Sequence, residues 1–173
     1  GAVVPSSGNS GENDPWRYTT EPFVNESIEL LAGVQPHWFT PRLRFFAGRE
    51  DKLPVDQNSL MALVAPRGLM MYSGYAESAG NPLGFEQAYR SALRVYRFLG
   101  REQNIWLSLR EGEHETTAGD VENFIDFFDA VFEGCKLLGS VFSDCTLRPI
   151  RVVGGQWRGV TIRGGNLSGL DLT

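Results

Sequence analysis

Cysteine, histidine and long apolar runs are all scarce in this chain of 173 residues. The two cysteines, Cys135 and Cys145, are too few for a disulfide scaffold and lie in no zinc-type spacing. No metal and no cofactor is expected from these residues. No apolar run approaches the roughly 18 residues of a spanning helix, so no membrane partner is expected. The chain opens on Gly1 with no signal-peptide pattern behind it. A basic stripe interleaved with aromatics is also missing, which argues against a nucleic-acid partner.

What is present is globular. Apolar residues make up 42% and charged residues 21%, enough of the first for a core. The length suits one ordinary domain, or a domain with a small module. The net charge of −5 is uneven. Residues 135–173 hold Lys136, Arg148, Arg151, Arg158 and Arg163 against Asp144 and Asp171, a balance of +3 that leaves −8 for residues 1–134. The two stretches differ in chemistry.

Residues 1–5 read as a short buried strand and 6–15, rich in turn formers, as loop. A short helix is expected over 25–31, capped by Asn25. Residues 35–39 form an aromatic loop cluster. A second helix over 56–64 is capped by Asp56 and stopped before Pro66. Apolar residues recur at helical spacing from Phe85 to Leu99, with Gly100 placed at C′. A closing helix over 120–129 is expected to face the sheet with Phe124, Ile125, Phe127 and Phe128. With apolar runs at 68–74 and 104–110, the alternation predicts an α/β fold: three parallel strands, right-handed crossovers and flanking helices.

Chemistry gathers just past two of those strands. Glu77 follows the run ending in Ser73-Gly74, and Gly112-Glu-His114 follows the run ending at Arg110. Open α/β sheets keep their sites at this carboxyl edge. Acid, then histidine, is the closing order of the α/β-hydrolase triad. No Gly-x-Ser-x-Gly elbow occurs in the 173 residues, so the chain reads as the back half of such an enzyme. His114 is the candidate base and Glu77 the acid that orients it. Glu111, Glu113 and Glu115 around His114 form either a solvated face or a field that raises its pKa.

From residue 130 onward the period becomes five. Phe132, Leu137, Phe142, Leu147, Val152, Trp157, Ile162, Leu167 and Leu172 are the apolar centres of successive fives. Such a period fits neither helix nor strand and signals a solenoid. Residues 131–173 resemble the pentapeptide-repeat family, which implies a right-handed four-sided β-helix. Cys135 and Cys145 would then lie on opposite faces and stay reduced. An uncapped final coil would fray or pair with another chain, a route to self-association.

Residues 1–130 resemble the glucuronoyl esterases, carbohydrate esterase family fifteen. The resemblance rests on Ser-Ser-Gly8 with Trp16-Arg17, His37-Trp38-Phe39, Leu53-Pro-Val-Asp-Gln57, Ala62-Leu-Val-Ala-Pro-Arg67 and Gly112-Glu-His114, in family order. It implies a secreted or periplasmic serine hydrolase whose partner is a carbohydrate ester of glucuronic acid. In fungal members the acid precedes the Ser-Gly of the first loop, where this chain has Ser6. In many bacterial members it takes the place of Glu77, usually followed by a tryptophan; here Ser78 and Ala79 follow. Gln35 stands where the family contacts the uronate hydroxyls with glutamate. Trp38 either walls the pocket or belongs to the core. Two other functions compete: a non-catalytic interaction protein working through the repeats, and a pseudo-enzyme adapter.

Overall fold

In the computed structural model, strands β1 (Ala2–Val3), β2 (Gly68–Gly74) and β3 (Ile105–Arg110) lie side by side in that order, all parallel. Described residues are 1–5, 11, 13–18, 26–77, 80–132, 141–143, 158 and 160–164. The chain divides into two compact units, Gly1–Phe124 and Ile125–Thr173.

In the first unit β2 is central, and all seven of its residues are buried. That is why 68–74 shows no alternation of apolar with charged or strongly polar residues. Strand β1 is shorter than the expected 1–5, pairing only Ala2 with Gly68 and Val3 with Leu69. Pro5, which has no N–H to offer a ladder, follows closely.

Helix α4 (Pro82–Phe98) connects β2 to β3. Asn81 caps it, accepting from the backbone N–H groups of Leu83 and Gly84, and Pro82 supplies the preset first turn. Leu99 ends it, and Gly100 follows with φ of +64°. Its Phe85, Ala88, Ala92 and Tyr96 recur at 3–4 residue spacing and pack against Leu69, Met71, Ile105 and Met61. Met61 belongs to helix α3 (Gln57–Ala62). Tyr72 meets Phe124 of helix α5 (Ala118–Phe132), ring centroids 4.7 Å apart.

The Tyr96 hydroxyl, inside this core, donates to the Arg67 carbonyl at 2.9 Å. Burial pushes the phenol up to about 12, with nearby Arg67 opposing weakly. The fold therefore favours the neutral phenol. Its contribution is intact below the unfolded-state value of about 10 and is lost as pH rises from there through 12. Thermal melts of Tyr96→Phe should show a lower Tm at neutral pH and a shallower alkaline decline than the parent. An identical alkaline slope would count against this assignment.

A second cluster joins Trp16 with Leu53 and with Ile28 and Leu31 of helix α1 (Ile28–Val34). Trp16 lies edge-on to Phe39 at 6.0 Å. The cap of α1 is Ser27, whose hydroxyl accepts from the Leu30 N–H at 3.0 Å, so the helix starts later than the 25–31 expectation. Residues 35–39 are a 3-10 turn over Pro36–Trp38 rather than plain loop, followed by the short helix α2 (Pro41–Arg44).

Asp56 caps α3 as expected and also fastens this cluster. Its buried carboxylate accepts from the N–H groups of Gln57 (2.8 Å), Trp16 (2.9 Å) and Arg17 (3.0 Å). Arg17 turns its Nε to the Glu50 carbonyl at 3.3 Å. Asp56→Ala would strand the donors of Trp16 and Gln57 in the interior. We expect a loss of about 3 kcal/mol in urea unfolding, and about half that for Asp56→Asn, which keeps one acceptor oxygen. Loss within ~0.5 kcal/mol for the alanine variant would show that these bonds are replaced by water.

Helix α5 is longer than the expected 120–129. Phe127 is buried and stands 5.5 Å from Phe128, but Ile125 is 46% exposed. The expectation that Ile125 is buried along with Phe127 is therefore not met.

In the second unit, β4 (Val141–Ser143) and β5 (Thr161–Arg163) pair in parallel. Val141 pairs with Thr161, Phe142 with Ile162 and Ser143 with Arg163, each partner twenty residues further on. The expectations for Leu137, Leu147, Val152, Trp157 and Leu167, and for Cys135 and Cys145, lie outside the described residues. No helix among the described residues is long and apolar enough to cross a membrane.

Candidate active site

Because β2 and β3 are parallel and in register from Leu69↔Ile105 to Gly74↔Arg110, the loops after them leave the sheet at the same edge. Glu77 comes three residues after one strand and His114 four after the other. Backbone bonds stitch the loops together: Tyr75 N–H donates to the Arg110 carbonyl at 2.7 Å, and Ala76 N–H to the Gly112 carbonyl at 2.9 Å. Tyr72 and Thr116 hydroxyls meet at 2.9 Å.

On this frame Glu77 Oε2 and His114 Nδ1 stand 2.6 Å apart. Glu77 is 3% exposed and the His114 side chain 64%. An ionised carboxylate can only accept, so the proton sits on Nδ1 and the basic lone pair on Nε2. A buried carboxylate in this contact can hold the accessible imidazole in one orientation. The loops past the two strand ends thus bring Glu77 and His114 together.

The His114 loop is tight. Gly112 has φ of +112°, a region that side chains disfavour, and a Cβ there would meet Arg110 Nη1 at 2.6 Å. Glu115 turns inward, its Oε1 3.2 Å from Arg110 Nη1 and its Oε2 accepting from Glu113 N–H at 3.2 Å. It is therefore part of the loop's bonding and not only a solvated charge.

Asp120 and Thr117 close the loop as a capping box. Thr117 N–H donates to Asp120 Oδ2 at 2.7 Å, and Asp120 N–H returns to Thr117 Oγ1 at 3.2 Å. Asp120 Oδ2 also takes Arg110 Nε at 2.7 Å. Burial alone would raise this carboxyl, but the Thr117 and Arg110 hydrogen bonds outweigh it and hold it below its ordinary value. Reading the residues in sequence places Asp120 at the start of a helix and misses Arg110 altogether. The Thr117-x-x-Asp120 spacing was the signal available for the box.

Gln35 and Trp38 belong to a different element. Gln35 closes α1, its N–H donating to the Leu31 carbonyl at 2.7 Å. Trp38 is 62% exposed, so it is not a core tryptophan; its ring is edge-on to His37 at 6.3 Å. Ser6, Ser78 and Ala79 lie outside the described residues. Among the described residues, no three His, Cys, Asp or Glu side chains converge as a metal site would require.

A parallel sheet that carries an acid and a histidine on successive strand-end loops defines the α/β-hydrolase class of site. Comparison with known proteins narrows it: residues 2–100 match the family model described as glucuronyl esterase, fungi. The chain belongs to the glucuronoyl esterase family. A carbohydrate esterase, MZ0003, from an unknown prokaryotic organism is 36% identical over 119 residues, covering 60% of this chain and 28% of that protein. A glucuronoyl esterase of carbohydrate esterase family 15 from Caldicellulosiruptor kristjansonii has a similar structure, with TM-score 0.68 and 34% identity, covering 74% of this chain and 36% of that one. The 4-O-methyl-glucuronoyl methylesterase of Neurospora crassa is 20% identical over 134 residues, covering 73% and 34% respectively. The chain thus spans about a third of the length of these relatives.

Proposed function

We propose that this chain supplies the acid and the base of a serine-type carboxylic-ester hydrolase acting on glucuronic acid esters of plant cell-wall carbohydrate. The single observation that carries the reading is the 2.6 Å contact between buried Glu77 and His114. Family membership supplies the substrate class. In this reading His114 Nε2 takes the proton of a serine hydroxyl and returns it to the leaving alcohol, while Glu77 holds the ring in the Nδ1–H tautomer. The serine comes from outside these 173 residues, in keeping with the missing Gly-x-Ser-x-Gly segment and with the share of the relatives that the chain spans. Trp38 and Gln35 stand as contacts to the sugar, and the site of action is extracellular or periplasmic.

The tail has its own reading. We infer that residues 131–173 wind as a four-sided β-helix of pentapeptide repeats. Four faces of five residues make a turn of twenty, and the β4–β5 pairing advances by that number.

Turnover of benzyl glucuronate tests the catalytic reading. The full-length polypeptide should hydrolyse it, and the 173-residue chain alone should not. Absence of turnover by the full-length polypeptide would favour the non-catalytic adapter. Robust turnover by the short chain would point to a nucleophile within it.

A further inference from the structure

The Arg110 guanidinium is 17% exposed and sits inside the loop that carries His114. A guanidinium has five N–H donors in a rigid fork. Here each finds an acceptor. Nε donates to Asp120 Oδ2 at 2.7 Å. Nη1 donates to the Glu111 carbonyl at 3.0 Å and to Glu115 Oε1 at 3.2 Å. Nη2 donates to the Glu113 carbonyl at 3.3 Å and to the Glu115 carbonyl. The carbonyls of Glu113 and Glu115 belong to the residues immediately before and after His114. One planar group thus grips the backbone on both sides of the histidine, and Asp120 anchors that group from the start of α5.

Resting on the ester-hydrolase reading above, we propose that Arg110 is a positioning residue that templates the 111–116 loop and so holds the His114 imidazole against Glu77. A loop of Glu-Gly-Glu-His-Glu-Thr has no apolar side chain to pack and includes a glycine, so without a template it would sample many conformations. Repulsion among Glu111, Glu113 and Glu115 would open it further. The guanidinium opposes both effects: it satisfies the carbonyls, and its charge sits among the acids. Lysine cannot substitute. Its ammonium carries three donors at one point, which cannot span acceptors arranged around a planar fork.

The test uses the full-length polypeptide with 15N-labelled histidine, comparing Arg110→Lys and Arg110→Met with the parent. The readouts are the His114 Nδ1–H signal, amide exchange across residues 111–116, and steady-state turnover of benzyl glucuronate. We expect the Nδ1–H signal to be lost to exchange and the loop amides to exchange at least about tenfold faster. We expect kcat to fall by about 10²-fold with KM within about twofold. A purely structural arginine would lower Tm while leaving the ring signal and kcat of the folded protein unchanged. If Arg110→Met fails to fold, Arg110→Lys carries the comparison. An Nδ1–H signal, loop exchange and kcat matching the parent in the folded variants would overturn the proposal. Absence of turnover in every form, parent included, would instead remove the hydrolase reading, and the ring signal and loop exchange would still decide the role of Arg110.

Discussion

His114→Ala in the full-length polypeptide should lower kcat for glucuronate esters by on the order of 10⁴–10⁶-fold, with little change in KM. The base acts only on the way to the transition state, so its loss leaves ground-state binding intact. Glu77→Gln should cost about 10⁴-fold for a different reason. The amide is nearly the same size, but its NH₂ group can present a donor to Nδ1. The ring then moves its proton to Nε2, where it no longer accepts from serine. Glu77→Asp keeps the charge but withdraws it by one methylene from a contact now 2.6 Å long, and should cost roughly 10²-fold. Circular dichroism should show all three variants folded. A Glu77→Gln enzyme within about tenfold of the parent would mean that the acid of this protein lies elsewhere, with the Ser6 region the first place to look.

Much of this pair was legible before any coordinates. A run without charge or alternation such as 68–74 has one comfortable place, the middle of a parallel sheet, and once two such strands are adjacent their trailing loops leave at one edge. The order of acid and histidine then follows from strand order. Helix α4 was equally legible, since its spacing of Phe85, Ala88, Ala92 and Tyr96 admits no other buried face.

Other features were opaque for identifiable reasons. Arg110 ends a strand beside a run of glutamates, and in one dimension that looks like ordinary surface charge. Only the folded loop shows its five donors facing inward. Asp120 is the third residue of α5, not its first, because the cap is the preceding Thr117 side chain. Ser27 took the capping role expected of Asn25, and two oxygen-bearing residues so close together cannot be ranked without the chain's direction. Ile125 looked like a core residue on hydropathy alone, but it is 46% exposed whereas Phe127 is buried. Of the two alternatives for Trp38, exposure removes the core one.

The other large effect is expected from one methyl group at Gly74. A Cβ placed there would meet the Gly112 carbonyl oxygen at 2.2 Å and that of Glu113 at 2.5 Å. Both are backbone atoms of the His114 loop, and neither can rotate aside as a side chain would. Gly74 ends β2, three residues before Glu77, so the bare backbone at this point is what lets the two loops approach. Gly74→Ala must therefore push the His114 loop off the strand end, breaking the Ala76–Gly112 bond and lengthening the Glu77–His114 contact. We expect a loss of about 1–3 kcal/mol in stability, the usual range for forced overpacking. Turnover should fall by about 10²-fold or more, since a displacement near 1 Å suffices for that. Gly33→Ala is the control. Gly33 lies in α1 with nothing within 4 Å of its would-be Cβ, so alanine there should stabilise by roughly 0.5–1 kcal/mol and leave turnover unchanged. Urea unfolding and benzyl glucuronate kinetics on both variants give the comparison. If Gly74→Ala is as stable and as active as the parent, the two loops do not close as tightly in solution as the 2.9 Å Ala76–Gly112 bond requires.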